Sequence, residues 1–334
     1  MSLREKVDPF LSIVFSFRNE QDVLPELLER VRSVMNEEKV QGLLKDYELI
    51  FVNDASTDRS VDILENLNTD INDIRIINMS RVFGVAPCVM AGLAYSQGDL
   101  VVYMDADLQD PPDLIPEMIN AWRKDEHVEV VHTVRRSREG EGPLKLFFTK
   151  IGYWILNRYS SVPIPKEAGD FKLLTRRAVE HILKLKENNP FMRGLISWVG
   201  FKQAFVPYDR QARHAGQSKF FVLGHKVMSN FLTSAVVQFS SVPLQIAAYC
   251  GLLAIVIDLI FMIHALCEKF SGQAIPGWTA LMIVILFIGG VQLFCIGMIG
   301  LYLHAVHEQT KMRPRYIVDS LYGFPSDMNL KNSL

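Results

Sequence analysis

From Leu244 to Leu266, and again from Trp278 to Leu303, the sequence is apolar almost without interruption. A bilayer core takes roughly 20 consecutive apolar residues in helical form, so each run is expected to be a membrane-spanning helix. The first run contains one carboxylate, Asp258. At that depth it has to face protein or water and marks either function or an oligomer contact, the contact being preferred because two helices leave little room for a pathway. Gly289, Gly290, Gly297 and Gly300 in the second run permit close helix approach, which points to a homo-oligomer, with a tetramer among the options. Glu268 and Lys269 cancel between the runs, whereas Lys219, Lys226, Lys311, Arg313 and Arg315 flank their outer ends. Positive-inside counting then places both flanks in the cytosol, joined by a short external hairpin. Met1 to Pro9 is polar and charged, unlike a secretion signal, so the domain ahead of the spans is expected to be cytosolic.

That domain reads as α/β. Leu11–Phe17, Tyr47–Val52, Ile74–Met79, the run opening at Leu100, and Val128–Val134 are short apolar segments of strand length. Between them Asp22–Met35, a segment ending at Leu67, Gly84–Tyr95 and Leu114–Trp122 carry helical spacing. Strands alternating with helices imply a mostly parallel sheet. The formal net charge of −2 gives no reason to expect a polyanion, so no nucleic-acid partner is expected. Cys88, Cys250, Cys267 and Cys295 lack the short paired spacing of a zinc or redox site and read as packing residues in a reducing compartment. The division expected is a catalytic domain over 1–217, an amphipathic helix in the membrane surface over 218–240, two spans over 241–306 and a cytosolic tail over 307–334.

The chemistry concentrates in Leu100–Pro112, a buried strand that runs into Asp105-Ala106-Asp107-Leu108-Gln109-Asp110 and is stopped by two prolines. Acids at a strand's carboxyl end sit where open α/β sheets bind ligands. Asp105 and Asp107 are two apart, so in extended chain their carboxylates share a side. Two readings stand: a solvated loop after a strand, or a pair holding Mg²⁺ or Mn²⁺ with the phosphates of a nucleotide. Arg135, Arg136 and Arg138 after the fifth strand are an anion-binding candidate, with a solvated basic turn as the alternative. Asp170 beside Gly169 fits an ordinary turn as well as a site. Arg210 to Lys219 is a basic loop just ahead of the amphipathic segment. Neither Gly-x-Gly-x-x-Gly after the first strand nor a P-loop occurs, which excludes those two routes to nucleotide chemistry.

Taken in order, Asn19-Glu20, Val52-Asn53-Asp54, Ser80-Arg81 with Phe83-Gly84, Asp105 to Pro112, Gly169-Asp170-Phe171, the Arg213–Lys219 loop and Arg313-Pro314-Arg315-Tyr316 resemble a known group. It is the membrane-anchored family 2 glycosyltransferases acting on polyprenyl phosphates, which include dolichyl-phosphate mannose synthases and bactoprenol glucosyltransferases of the GtrB type. The resemblance covers nearly the whole chain and is nearest to the GtrB type. It implies a GT-A, Rossmann-like domain and transfer of glucose from UDP-glucose to undecaprenyl phosphate at the cytosolic face of a bacterial inner membrane. GDP-mannose with a dolichyl-type lipid is the alternative pair, and a nucleotide-binding scaffold without catalysis is the alternative class.

By position, the resemblance assigns Glu20, Asp54 and Arg81 to the nucleotide, and Asp105, Asp107 and Gln109 to the metal and diphosphate. Arg135, Arg138, Arg213, Ser218 and Lys219 fall to the acceptor phosphate or the donor's diphosphate, with Asp107, Asp170 and Arg213 as the catalytic set. Asp170 is offered as a base or as a positioning group. Ser16-Phe17-Arg18, Val82 and Ala55 depart from the group's usual residues, Ala55 standing where Gly is usual. A processive polysaccharide synthase would carry Gln-x-x-Arg-Trp and more spans, neither of which is here.

Overall fold

Strands that are apolar on both faces require helices on both faces of their sheet. The computed structural model describes residues 8–68, 71–135, 165, 168–187, 190–208, 242–270 and 277–325. They fall into two compact units, residues 8–208 with 313–325 and residues 242–312.

The first unit is built on an eight-stranded sheet. Its strands are β1 (Phe10–Phe17), β2 (Asp46–Asn53), β3 (Ile74–Met79), β4 (Leu100–Asp105), β5 (Val128–Arg135), β6 (Ala168–Thr175), β7 (Lys202–Tyr208) and β8 (Val318–Tyr322). Their spatial order is β7-β5-β6-β4-β1-β2-β3-β8. β1 to β4 run parallel, and β6 is antiparallel to both β4 and β5. β7 joins β5 in parallel, and β8 closes the other edge antiparallel to β3.

Helices α1 (Leu24–Val40), α2 (Ser60–Leu67) and α4 (Ile115–Arg123) contribute to one face, and α3 (Val85–Tyr95), α5 (Arg176–Lys184) and α6 (Met192–Trp198) to the other. Leu24, Leu27, Leu28 and Val31 recur at helical spacing, and all four are buried with Leu11, Ile13 and Phe15 of β1. Val14, pointing the other way, packs with Val89, Met90 and Leu93 of α3. Each such side chain contributes about 1.5–3 kcal/mol when fully buried, so the paired faces hold the sheet rigid.

The expected strands and helices before Arg135 are present, with the helix expected from Leu114 beginning as a short 3-10 turn, Pro112–Leu114. Of the strand or turn expected to begin at Ala168-Gly169-Asp170-Phe171, the strand is present as β6. β7, β8, α5 and α6 were not expected, and β8 lies within the segment read as a tail.

The second unit contains α7 (Val242–Phe270) and α8 (Trp278–Thr310). They pack together where the Cys295 thiol donates to the Ala247 carbonyl at 3.1 Å. Among the described residues one segment, Phe287–Thr310 of α8, is long and apolar enough to cross a membrane by length and composition, where two were expected. α7 carries the shorter apolar stretch Ala247–Ile257. Among the described residues a Cβ at Gly289, Gly290, Gly297 or Gly300 would meet nothing within 4 Å. The amphipathic segment 218–240 and the Asp258 side chain lie outside the described residues.

Candidate active site

The register brings the strand ends level. Ser16 is paired with Asp105 and Phe17 with Asn53, so β1, β2 and β4 finish together. Tyr103 of β4 pairs with Lys172 of β6, and continuing that register past the last pair sets Asp105 opposite Asp170. Asp107 follows in the loop, so three predicted acids converge at one end of the sheet.

Asp105 is perturbed by its surroundings. Its carboxyl is pushed up to about 7 by burial first, then by Asp170, Asp107 and Asp110, while a hydrogen bond from Ser16 works the other way. Ser16 Oγ donates to Asp105 Oδ1 at 3.4 Å. Three further carboxylates act on the half-buried Asp105, an electrostatic setting that a divalent cation relieves. Among the described residues no group of three Asp, Glu, His or Cys side chains is placed to hold a metal ion by itself.

The loop after β4 is folded tightly. Gln109 N donates to Asp107 Oδ1 at 3.2 Å, and Leu108 between them holds φ +56° with its side chain buried. A leucine in the left-handed region costs about 1–3 kcal/mol, and such strain concentrates at functional loops. Asp110 is buried and accepts a hydrogen bond from the Tyr208 hydroxyl of β7, which ties the loop to the far edge of the sheet.

Asp170 is held by a group that sequence reasoning missed. Arg193, in the first turn of α6, donates from Nε to Oδ1 at 2.9 Å and from Nη2 to Oδ2 at 2.6 Å. Both oxygens lie in a guanidinium fork, the arrangement that stabilises a carboxylate as an anion. Lys172 was also missed. It is fully buried, its ammonium donates to Gly169 O at 2.6 Å, and burial pulls its pKa down to about 7 against the attraction of Asp170. A lysine within the otherwise apolar run Phe171–Leu174 was the available signal. Tyr103, paired with it, is buried, and its hydroxyl finds no hydrogen-bond partner among the described residues.

The other predicted positions divide. Glu20 lies at the end of β1's loop, where its N–H donates to Ser60 Oγ at 3.0 Å. Both oxygens of Asp54 accept backbone N–H groups, from Phe83 at 2.6 Å and Gly84 at 3.0 Å, so this acid anchors the entry to α3. Arg81 is exposed, with its guanidinium 4.0 Å from the centre of the Phe83 ring. Ala55 has φ +52°, the conformation for which glycine is the usual residue. Arg135 ends β5 opposite Tyr208, and its side chain lies outside the described residues. Arg138, Arg213, Ser218 and Lys219 also lie outside them.

Residues 12–183, which span β1 to α5 and include the acids, match the model of glycosyl transferase family 2. The chain belongs to that family. This family 2 glycosyltransferase is similar over its length to curated relatives. It is 40% identical over 93% of its chain, and 94% of the other, to the Bacillus subtilis glycosyltransferase YkcC. It is 35% identical over 93% of its chain, and 99% of the other, to the bactoprenol glucosyl transferase of Shigella phage SfX. Among solved structures it is similar to the mannosyltransferase PcManGT of Pyrobaculum calidifontis in complex with GDP-Man and Mn²⁺. That likeness has a TM-score of 0.44 and 14% identity over 92% of this chain and 89% of that one. The first unit is a family 2 transferase domain of α/β architecture with a mostly parallel sheet.

Proposed function

We propose that this transferase moves glucose from UDP-glucose to undecaprenyl phosphate, with inversion at the anomeric carbon, at the cytosolic face of a membrane. The observation that carries the reading is the convergence of Asp105, Asp107 and Asp170 at one end of the sheet. It occurs in a chain that is 35% identical over 93% of its length to a bactoprenol glucosyl transferase. Asp105, Asp107 and Gln109 would hold Mg²⁺ or Mn²⁺, which supplies charge compensation for a departing nucleoside diphosphate.

The remaining chemistry belongs to the chain and its acceptor. A phosphate monoester has its second pKa near 6, so the lipid phosphate is mostly dianionic at neutral pH and attacks without a strong base. Asp170, forked by Arg193, fits that requirement: it orients a cation at the mouth of the acid cluster and is poorly suited to take a proton. Arg135, Arg138, Arg213, Ser218 and Lys219 are assigned to the anions of donor and acceptor, bringing one phosphate up to another.

The membrane placement has a topological support. β8 follows α8 and yet hydrogen-bonds to β3, which precedes both long helices. Strands that precede and follow the helix pair thus share one sheet, which supports an even number of crossings between them. Exposed Leu252, Leu253 and Ile260 on α7 and Leu293, Ile296 and Leu303 on α8 suit a lipid surround. We read the pair as a spanning hairpin with both termini cytosolic.

The test offers UDP-glucose, UDP-galactose and GDP-mannose to the purified protein with undecaprenyl phosphate and Mg²⁺, then separates the lipid products and reads the anomeric configuration by NMR. β-linked glucosyl lipid from UDP-glucose is expected. An α-linked product would overturn the inverting step, and product from GDP-mannose alone would overturn the donor.

A further inference from the structure

Phe17, Asn53, Asn78 and Ser320 are successive register partners across β1, β2, β3 and β8. The last three form a chain of side-chain hydrogen bonds. Asn78 Nδ2 donates to Ser320 Oγ at 3.1 Å, and Asn53 Nδ2 donates to Asn78 Oδ1 at 2.9 Å. The chain continues into the loops beyond β2 and β1. Ser56 N donates to Asn53 Oδ1 at 2.8 Å, Asn19 N donates to Ser56 Oγ at 3.0 Å, and Thr57 N donates to Asn19 Oδ1 at 2.8 Å.

These loops need holding. Ala55 has φ +52°, a left-handed conformation that alanine keeps only when its surroundings impose it, and Asn19, of a type that tolerates that region, has φ +54°. Asn53 is buried, so its amide is oriented by the partners it finds, and Asn78 supplies the one on the β3 side. β8 is itself well fixed: Ser80 N donates to Ile317 O at 3.0 Å, and the Phe324 ring meets Tyr95 edge-on at 5.5 Å between centroids.

We propose that Asn78 and Ser320 are positioning residues for the nucleotide of the donor. Through Asn53 they hold the paired loops after β1 and β2 in the shape that receives a nucleoside diphosphate. The segment that follows α8 thereby becomes part of the donor site. This rests on the nucleotide-sugar reading above.

UDP binding to the full-length protein in detergent with Mg²⁺, measured by calorimetry, tests it, alongside steady-state kinetics. Ser320→Ala should weaken UDP about threefold and Asn78→Ala about tenfold, the scale of one neutral hydrogen bond and of an orphaned buried amide. Ser320→Thr, which keeps the hydroxyl, should restore binding. The double variant should be no weaker than Asn78→Ala, because both changes cut one chain. KM for the nucleotide sugar should rise in step, while kcat and the KM for lipid phosphate stay within about twofold, inside the range of a single weak contact. Ser320 is exposed, so Ser320→Ala carries the test should Asn78→Ala fail to fold. Additive losses, or variants that bind UDP as well as the wild type does, would overturn the positioning role alone. A wild type that binds neither UDP nor GDP would remove the donor reading and this inference with it.

Discussion

At the scale of single residues, the site is a cluster of acids with two cations beside it. Asp105 has a folded-state pKa of about 7, above the value near 4 of an unfolded aspartate, so folding favours its protonated form. Its stabilising contribution is full below pH 4 and is lost as pH rises through about 7. In the presence of a chelator, Asp105→Asn should therefore raise unfolding stability at pH 8 by about 1–3 kcal/mol and leave it nearly unchanged at pH 4, as followed by thermal melting. An equal effect at both pH values would contradict the burial account. Asp170 and Arg193 give a second test. Removing either should depress turnover, and the double variant Asp170→Asn with Arg193→Ala should show a coupling of about 1–3 kcal/mol in kcat/KM, since the fork is one unit. Independent, additive effects would mean that the pair acts separately in catalysis.

At the scale of elements, close contacts seat the helices and the edge strand. Gly92 of α3 lies so near β1 that a Cβ would stand 2.1 Å from Val14 Cγ1. Gly323, just after β8, has φ +76°, and a Cβ there would stand 2.5 Å from the Ile74 carbonyl oxygen. Gly323→Ala should cost about 1–3 kcal/mol and speed hydrogen exchange in β8 more than in β1, whereas uniform exchange would contradict a separate docking of that edge. The same packing explains what was legible beforehand. β1, β2 and β4 are buried on both faces, so their apolar runs stood out, and α1 announced itself through Leu24, Leu27, Leu28 and Val31. β7 and β8 are edge strands of mixed polarity, with Pro207 in one and Asp319 and Ser320 in the other, and carry no such run. Among site residues, Asp105 and Asp107 were visible because an apolar strand runs straight into them. Arg193 was not, because only the fold brings it to Asp170, and Asp54 was visible as an acid although its oxygens turn to the backbone of Phe83 and Gly84.

At the scale of the whole molecule, a family 2 transferase domain is closed by a strand that returns after two long helices. On the proposed hairpin topology, tags at both termini should be accessible from the cytosolic side of inverted vesicles. Protection of one terminus only would refute the hairpin. The central claim is that the acids at the end of β4 drive sugar transfer to a lipid phosphate. The direct measurement is the rate of glucosyl transfer from UDP-glucose to undecaprenyl phosphate by the wild type, Asp105→Ala and Asp107→Ala at saturating Mg²⁺ or Mn²⁺. A loss of about 10²–10³-fold or more in each variant, with the fold retained, is the predicted result. Near-normal transfer by either variant would contradict it.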